Sequence, residues 1–141
     1  MAPLEQVLSA PTIGDHANPP HEWQRLVAAS SRDLSRAGQV SSKCLQFIGE
    51  HFKERRNVGF YAKQLFVSPD YLRQCCKQVL GLPPSHCIAL RVVVEAMNLI
   101  SGGVLAMGEL AHQLGFESHP HFCHFLKKHT GLSPTGLKRL G

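Results

Sequence analysis

Apolar residues recur at helical spacing along most of the chain. Leu45, Ile48 and Phe52 lie three and four residues apart, so they share one face of a helix that Ser41 or Ser42 can cap. No segment alternates between polar and apolar residues over more than a few positions, as a half-buried strand would. The pattern therefore predicts an all-α fold.

Start and stop signals divide the middle of the chain into further helices. Asn57 is a suitable cap for a short helix over 57–65, and Ser68, followed by a proline, begins the next one. Gly81 ends that helix, because glycine readily adopts the left-handed conformation that closes many helices. A longer helix follows over 84–101, and at about 1.5 Å per residue it is roughly 25 Å long.

The last third of the chain repeats this cycle. The pattern predicts a short helix over 107–114, a turn, and a second helix that Ser118 caps and Gly131 stops. A final helix is expected to begin at Ser133, where a proline again follows a serine.

The repeated segments align at an offset of 50 residues, or 49 in the short helix that precedes them. The matched pairs are Leu72 and Phe122, Lys77 and Lys127, Gly81 and Gly131, and Ala62 and Ala111. A duplicated helix-turn-helix is the simplest unit that explains such a pattern, and it predicts DNA binding, with the second helix of each unit in the major groove.

The second helix of each unit has an apolar face and a face of hydrogen-bonding side chains. The residues expected to point inward are Leu72, Cys75, Cys76 and Val79 in the first unit, and Phe122, Phe125, Leu126 and His129 in the second. The candidate DNA-binding residues are Ser68, Asp70, Arg73, Gln74 and Lys77, then Ser118, His119, Cys123, His124 and Lys127. Arginine pairs well with guanine, glutamine with adenine, and a carboxylate can accept a hydrogen bond from cytosine.

The N-terminal part lacks so clear a pattern. Residues 1–21 are rich in proline, alanine and glycine, which predicts a tail, and residues 22–37 indicate at most one short helix. We expect a tail or linker over 1–40, partly disordered or with that one helix, and a DNA-binding domain over 41–141. The expected parts of the domain are a first subdomain (41–82), a linker helix (84–101) and a second subdomain (103–141).

Charge and composition agree with a nucleic-acid partner. The formal net charge is +5, and residues 41–141 carry twelve basic and six acidic side chains. Phosphate neutralisation by such charge supplies most non-specific DNA affinity. Five cysteines without a regular spacing favour a reducing compartment, and neither a secretion signal nor an apolar run of about 18 residues is present. We therefore expect a cytoplasmic protein with no membrane partner.

The repeated segments resemble the DNA-binding domain of AraC/XylS-type transcription regulators. The residues that carry the resemblance are the run from Ala111 to Ser118, then Phe122, Lys127, Lys128, Gly131, Ser133 and Pro134, and in the first unit Ala62, Leu65, Ser68, Pro69, Tyr71 and Leu72. The resemblance implies two helix-turn-helix subdomains on a linker helix and a bacterial, nucleoid-associated regulator, usually an activator. It implies promoter DNA and RNA polymerase as partners, with a sensing domain outside this chain.

Departures from the family pattern leave alternatives open. Cys76 and Leu126 replace an expected phenylalanine, and His124 replaces a common arginine, so the second unit could mainly grip the DNA backbone. A helical protein-interaction module with weakened or lost DNA binding is the alternative function.

Metal binding and catalysis are less favoured. His119 and Cys123 lie one helical turn apart, a spacing that zinc accepts, but both also fit the family frame. A Cys/His hydrolase needs a concave pocket for which a small helical domain has little room. We expect no metal, no cofactor and no enzymatic activity.

Overall fold

The computed structural model describes residues 18–103, 106–133 and 136, and within these ranges the chain is helical without any strand. The helices are α1 (Pro19–Arg32), α2 (Arg36–His51), α3 (Val58–Gln64), α4 (Pro69–Leu80), α5 (Pro84–Ser101), α6 (Met107–Gln113) and α7 (His119–Thr130). The predicted all-α fold is confirmed. The tail expected over residues 1–17 and most of the helix expected from Ser133 lie outside the described residues.

Capping residues place the helices of both units where the sequence predicts them. Asn57, Ser68 and Ser118 each accept a backbone N–H with the side chain at the start of α3, α4 and α7. Gly81 and Gly131 end α4 and α7 with φ of 77° and 76°, in the left-handed region that glycine occupies without steric cost.

The start of α2 differs from the prediction. The helix begins at Arg36, and Ser35 is its cap, with its hydroxyl accepting the backbone N–H of Gly38 at 3.1 Å. Ser41, one of the two predicted caps, is fully buried inside α2. The prediction was wrong because Ser35 is itself held by Asp33, whose carboxylate accepts the backbone N–H of Ser35 at 2.9 Å.

Helix α1 is part of the packed structure rather than a tail. Asn18 caps it and Pro19 occupies its first turn, so the tail expected up to residue 21 is wrong for its last residues. Leu26 is fully buried, and α1 packs against α2, α4 and α5. The domain boundary expected at residue 41 therefore lies inside α2, and the helical fold continues upstream of it.

Helix α5 lies at the centre of the fold. It contacts α1, α2, α4, α6 and α7, and ten of its 18 residues are buried, so it is a core helix as well as a connector. Leu72 and Cys76 of α4 pack into the core beside α2, while Phe122 and Leu126 of α7 are buried next to α5 and α6. Each of α4 and α7 therefore buries one face and leaves the opposite face to solvent.

No single helix within the described ranges is long and apolar enough to cross a membrane. Helices α4 and α5 meet that criterion only when they are taken together, and they are bent by 64° at the break between them.

Candidate nucleic-acid interface

The exposed face of α4 carries the side chains that the sequence predicts. Asp70, Arg73, Gln74 and Lys77 are all exposed, and Leu72, Cys75 and Cys76 are buried on the opposite side. Val79, expected inward, is half-buried. A reading helix needs this arrangement, because its core face fixes its position while the opposite face meets base edges and phosphates.

Arg73 is paired with Asp70 on the exposed face of α4. Its Nη2 atom lies 2.6 Å from Oδ1 of Asp70, and the side chains are 47% and 84% exposed. An ion pair so open to water contributes little stability. It restrains the guanidinium near the start of the helix, however, and an acceptor on DNA would have to share that group with Asp70.

Ser68 and Ser118 are occupied as caps. The hydroxyl oxygen of Ser68 accepts the backbone N–H of Tyr71 at 3.1 Å, and that of Ser118 accepts the backbone N–H of His121 at 3.4 Å. Each hydroxyl can still donate its own hydrogen to a phosphate oxygen. Ser68 is exposed and Ser118 is half-buried, so Ser68 is the more accessible of the two.

The outward face of α7 is rich in histidine and lysine. His119, His124 and Lys127 are exposed, whereas Cys123 is half-buried. The helix contains no acidic residue, in contrast to α4 with Asp70. Without a carboxylate on the same helix to compete for it, Lys127 is well suited to a phosphate contact.

Phe125 and His129 of α7, both expected inward, are half-buried and form one side of an open groove. Their ring centroids lie 4.7 Å apart, and Phe125 lies 5.2 Å from the ring of Phe116. Burial lowers the pKa of His129, and the charges of Lys128 and His124 lower it further. This side of α7 is therefore a packing surface rather than a fully exposed one.

The groove beside α7 is lined by two cationic side chains, three histidines, two phenylalanines, a glycine and one carboxylate. It encloses about 490 Å³ and is lined by Arg56, Gly115, Phe116, Glu117, His121, His124, Phe125, Lys128 and His129. Its one carboxylate, Glu117, lies 3.3 Å from Nδ1 of His121. Arg56 and Lys128 were not among the candidate residues, and Arg56 could not have been found from local sequence because it lies 59 residues from its partner Gly115.

Phe66 is a third residue that was not among the candidates from the sequence. It lies in the turn between α3 and α4, its side chain is 94% exposed, and its φ is 58°. The signal was present in the sequence, since the 49-residue offset places Phe66 opposite Gly115 in the other turn. An exposed aromatic ring therefore lies next to the N-terminus of α4.

Among the residues described, no three His, Cys, Asp or Glu side chains come together in a way that could hold a metal ion. The simultaneous fit of α4 and α7 into two adjacent major grooves stays a prediction.

A family model described as a helix-turn-helix domain matches residues 61–139, which is more than half of the chain. The matched segment begins inside α3 and includes both repeated units.

The chain is similar to two bacterial proteins described as uncharacterized HTH-type transcriptional regulators. YisR of Bacillus subtilis (strain 168) is 28% identical over 102 residues, which cover 72% of this chain and 36% of YisR. YijO of Escherichia coli (strain K12) is 25% identical over an alignment 142 residues long, and this alignment covers 91% of this chain and 50% of YijO. The matched segments thus cover between about a third and a half of the length of these relatives.

A solved structure has a similar fold. The C-terminal domain of AraT, a response regulator from Geobacillus stearothermophilus, superposes with a TM-score of 0.62 and 28% sequence identity. The superposition covers 76% of this chain and 89% of that domain.

Proposed function

Because the chain belongs to the AraC-type family of helix-turn-helix transcription regulators, which bind DNA, we propose that it reads two adjacent major grooves of one promoter, with α4 in one groove and α7 in the next. The observation that carries this proposal is the shared design of the two helices. Each begins at a serine cap, buries an apolar face, presents polar side chains outward and ends at a left-handed glycine.

The two helices have different roles in this proposal. Arg73 and Gln74 read bases from α4, because a guanidinium pairs with guanine and a carboxamide with adenine. Lys77 contacts a phosphate. At the start of the helix, Ser68 binds the DNA with its hydroxyl, and Asp70 binds the DNA and orients the guanidinium of Arg73. On α7, Lys127, Ser118 and the histidines His119 and His124 mainly hold the backbone, and Cys123 lies close to the DNA.

The chain acts as the DNA-binding part of a cytoplasmic, nucleoid-associated activator that contacts RNA polymerase, with any sensing domain outside this chain. The resemblance to regulators about twice as long supports this part of the proposal.

A helical protein-interaction module with weakened DNA binding is the second candidate. Two observations favour it: α7 has no arginine on its outward face, and the arginine of α4 is already paired with Asp70. A module of this kind would select no preferred DNA sequence.

Selection of bound DNA from a random pool decides between the two. The proposed function predicts a site with two blocks about one helical turn apart. Lys77→Ala and Lys127→Ala should each reduce the slope of log affinity against log salt by about one. Lys43→Ala, an exposed lysine on α2, is the control and should leave the slope unchanged. A pool that yields no enriched sequence would favour the interaction module.

Cys123 provides a direct probe of α7. It is the only cysteine that is not buried, since Cys44, Cys75, Cys76 and Cys87 all lie in the core. Burial also raises the pKa of the Cys87 thiol, which slows its alkylation further. The selected DNA should therefore protect one thiol from alkylation. Cognate DNA that binds without protecting Cys123 would show that α7 does not enter the groove.

A further inference from the structure

The guanidinium of Arg56 lies between the C-terminal end of α2, which precedes the first helix-turn-helix unit, and that of α6, the first helix of the second unit. Nη1 donates to the carbonyl oxygens of Phe52 at 3.5 Å and Lys53 at 2.8 Å, at the end of α2. The same nitrogen lies 3.4 Å from the carbonyl oxygen of Leu114, which caps α6, and Nη2 donates to that of Gly115 at 3.2 Å. One side chain thus joins the end of α2, which packs against α4 of the first unit, to the turn of the second unit.

Aromatic rings hold the same guanidinium from the side. Its Cζ atom lies 3.9 Å from the ring centroid of Phe116 and 5.9 Å from that of Phe125. Phe116 is itself 6% exposed and packs against Phe122 at 5.3 Å between centroids. The cation therefore contacts the turn that precedes α7 and α7 itself.

The two backbones also touch directly at this point. A β-carbon on Gly115 would overlap the carbonyl oxygen of Lys53 and would lie 2.9 Å from its carbonyl carbon. Gly115 has φ of +90°, so neither the conformation nor the space suits another residue. The contact between the units is close enough to define their relative orientation.

Arginine has the chemistry that this position needs. Helix C-termini carry partial negative charge, and two of them facing each other repel unless a cation lies between them. A planar guanidinium with five N–H donors can bond to several carbonyl oxygens at once and stack on a ring, which a lysine ammonium cannot do.

The covalent connection through α5 does not by itself fix the orientation of the second unit. It ends at Ser101 and is followed by Gly102 and Gly103, the latter with φ of 101°. Paired glycines give the backbone wide conformational freedom. The orientation of α6 and α7 therefore depends on side-chain packing against α5 and on the contact at Arg56.

We propose that Arg56 is a positioning residue that locks the second helix-turn-helix unit onto the first and thereby sets the spacing between the two DNA blocks that the chain accepts. This inference rests on the proposed function. A locked pair binds well only at one spacing, because both helices gain from simultaneous binding only when the blocks match their separation.

The test compares Arg56→Met with Arg55→Met. Each variant loses one positive charge, but the Arg55 side chain contacts the first unit, with its Cζ atom 5.1 Å from the ring centroid of Phe60. The probes are the selected DNA, the same two blocks moved apart by roughly half a helical turn, and DNA with one block only.

Wild type and Arg55→Met should strongly prefer the selected spacing. In Arg56→Met the preference should fall about tenfold or more, while affinity for single-block DNA matches that of Arg55→Met. Arg56→Lys, which keeps the charge but not the planar fork, should lie between them and serves if Arg56→Met does not fold. An unchanged spacing preference in both Arg56 variants would overturn the inference and leave the proposed function standing.

Residual dipolar couplings measured without DNA separate the two proposals. Residues of both units should fit one alignment tensor in wild type and Arg55→Met, and two tensors in the Arg56 variants. A wild type that selects no DNA would defeat the proposed function, whatever the tensors show. A single tensor in the Arg56 variants would defeat the lock.

Discussion

Phe66 and Gly115 occupy equivalent positions in the two turns, and both have a positive φ, of 58° and 90°. Glycine adopts this conformation without steric cost, whereas a residue with a β-carbon pays about 1–2 kcal/mol. The ring of Phe66 is 94% exposed, so burial does not offset that cost. Of the two turns, the first is therefore strained and the second is not.

Replacing Phe66 by glycine should stabilise the protein. Phe66→Gly removes the strain but adds backbone entropy to the unfolded state, so we expect the free energy of unfolding to rise by about 0.5–1 kcal/mol. Urea denaturation measures the change. Leu34→Gly is the matched control, because Leu34 is 85% exposed but has no positive φ, and it should lose stability. An equal loss of unfolding free energy in Phe66→Gly and Leu34→Gly would show that the backbone at Phe66 is not strained.

Replacing Gly115 by alanine should destabilise the protein by about 2 kcal/mol or more, because a left-handed conformation and a steric overlap with Lys53 act together. Gly108→Ala is the control: a β-carbon there meets no atom within 4 Å, and alanine favours a helix. It should be neutral or stabilising by up to about 1 kcal/mol. If Gly115→Ala and Gly108→Ala had the same denaturation midpoint, this would argue against the close approach of Gly115 to Lys53.

Arg73→Ala and Gln74→Ala should weaken discrimination between the selected site and its single-base variants by about 1–3 kcal/mol at the position each side chain reads. Competition binding at fixed salt measures the ratio. Gln46→Ala removes an exposed glutamine from α2 instead and should leave the ratios unchanged. An identical sequence preference in all three variants would remove Arg73 and Gln74 from the interface.

Stability should fall in mild acid because of His86. Burial lowers the pKa of His86 below 6.5, and nearby His129 lowers it further, while Glu22 opposes the shift. The unfolded chain then binds a proton more readily than the native one, so stability is present above about pH 6.5 and is lost as the pH falls below it.

Chemical denaturation at pH 7.5 and 5.5 measures this effect. His86→Gln should show a smaller difference between the two pH values than wild type, whatever its absolute stability. His129→Gln should do the same, because burial lowers the pKa of His129 too. A pH dependence that neither substitution reduces would assign the acid sensitivity to other groups.

Local signals explain why much of the fold could be predicted from the sequence. The serine caps and left-handed glycines of α4 and α7 act within a few residues, so Ser68 and Gly81 mark their helix without any knowledge of the fold. The sequence signal for α1 is weak, because the stability of this helix comes from burial of Leu26 against helices distant in the chain. Propensity carries no signal of that kind.

The same distinction applies to the candidate interface. The outward face of α4 follows from helical periodicity, and the structure places Arg73, Gln74 and Lys77 there. The role of Arg56 depends on carbonyl oxygens of residues 114 and 115. Backbone acceptors leave no mark in the sequence, so such a bridge becomes visible only in three dimensions.

The packing of α1 has a mechanical consequence. Its first turn is anchored by Asn18, and its buried side rests on α5, the helix that carries both units. A force or torque applied at residue 18 would act on a helix that is packed against α5, and not on a flexible tail. A movement of α1 would therefore be transmitted directly to α5, against which α4 and α7 both pack.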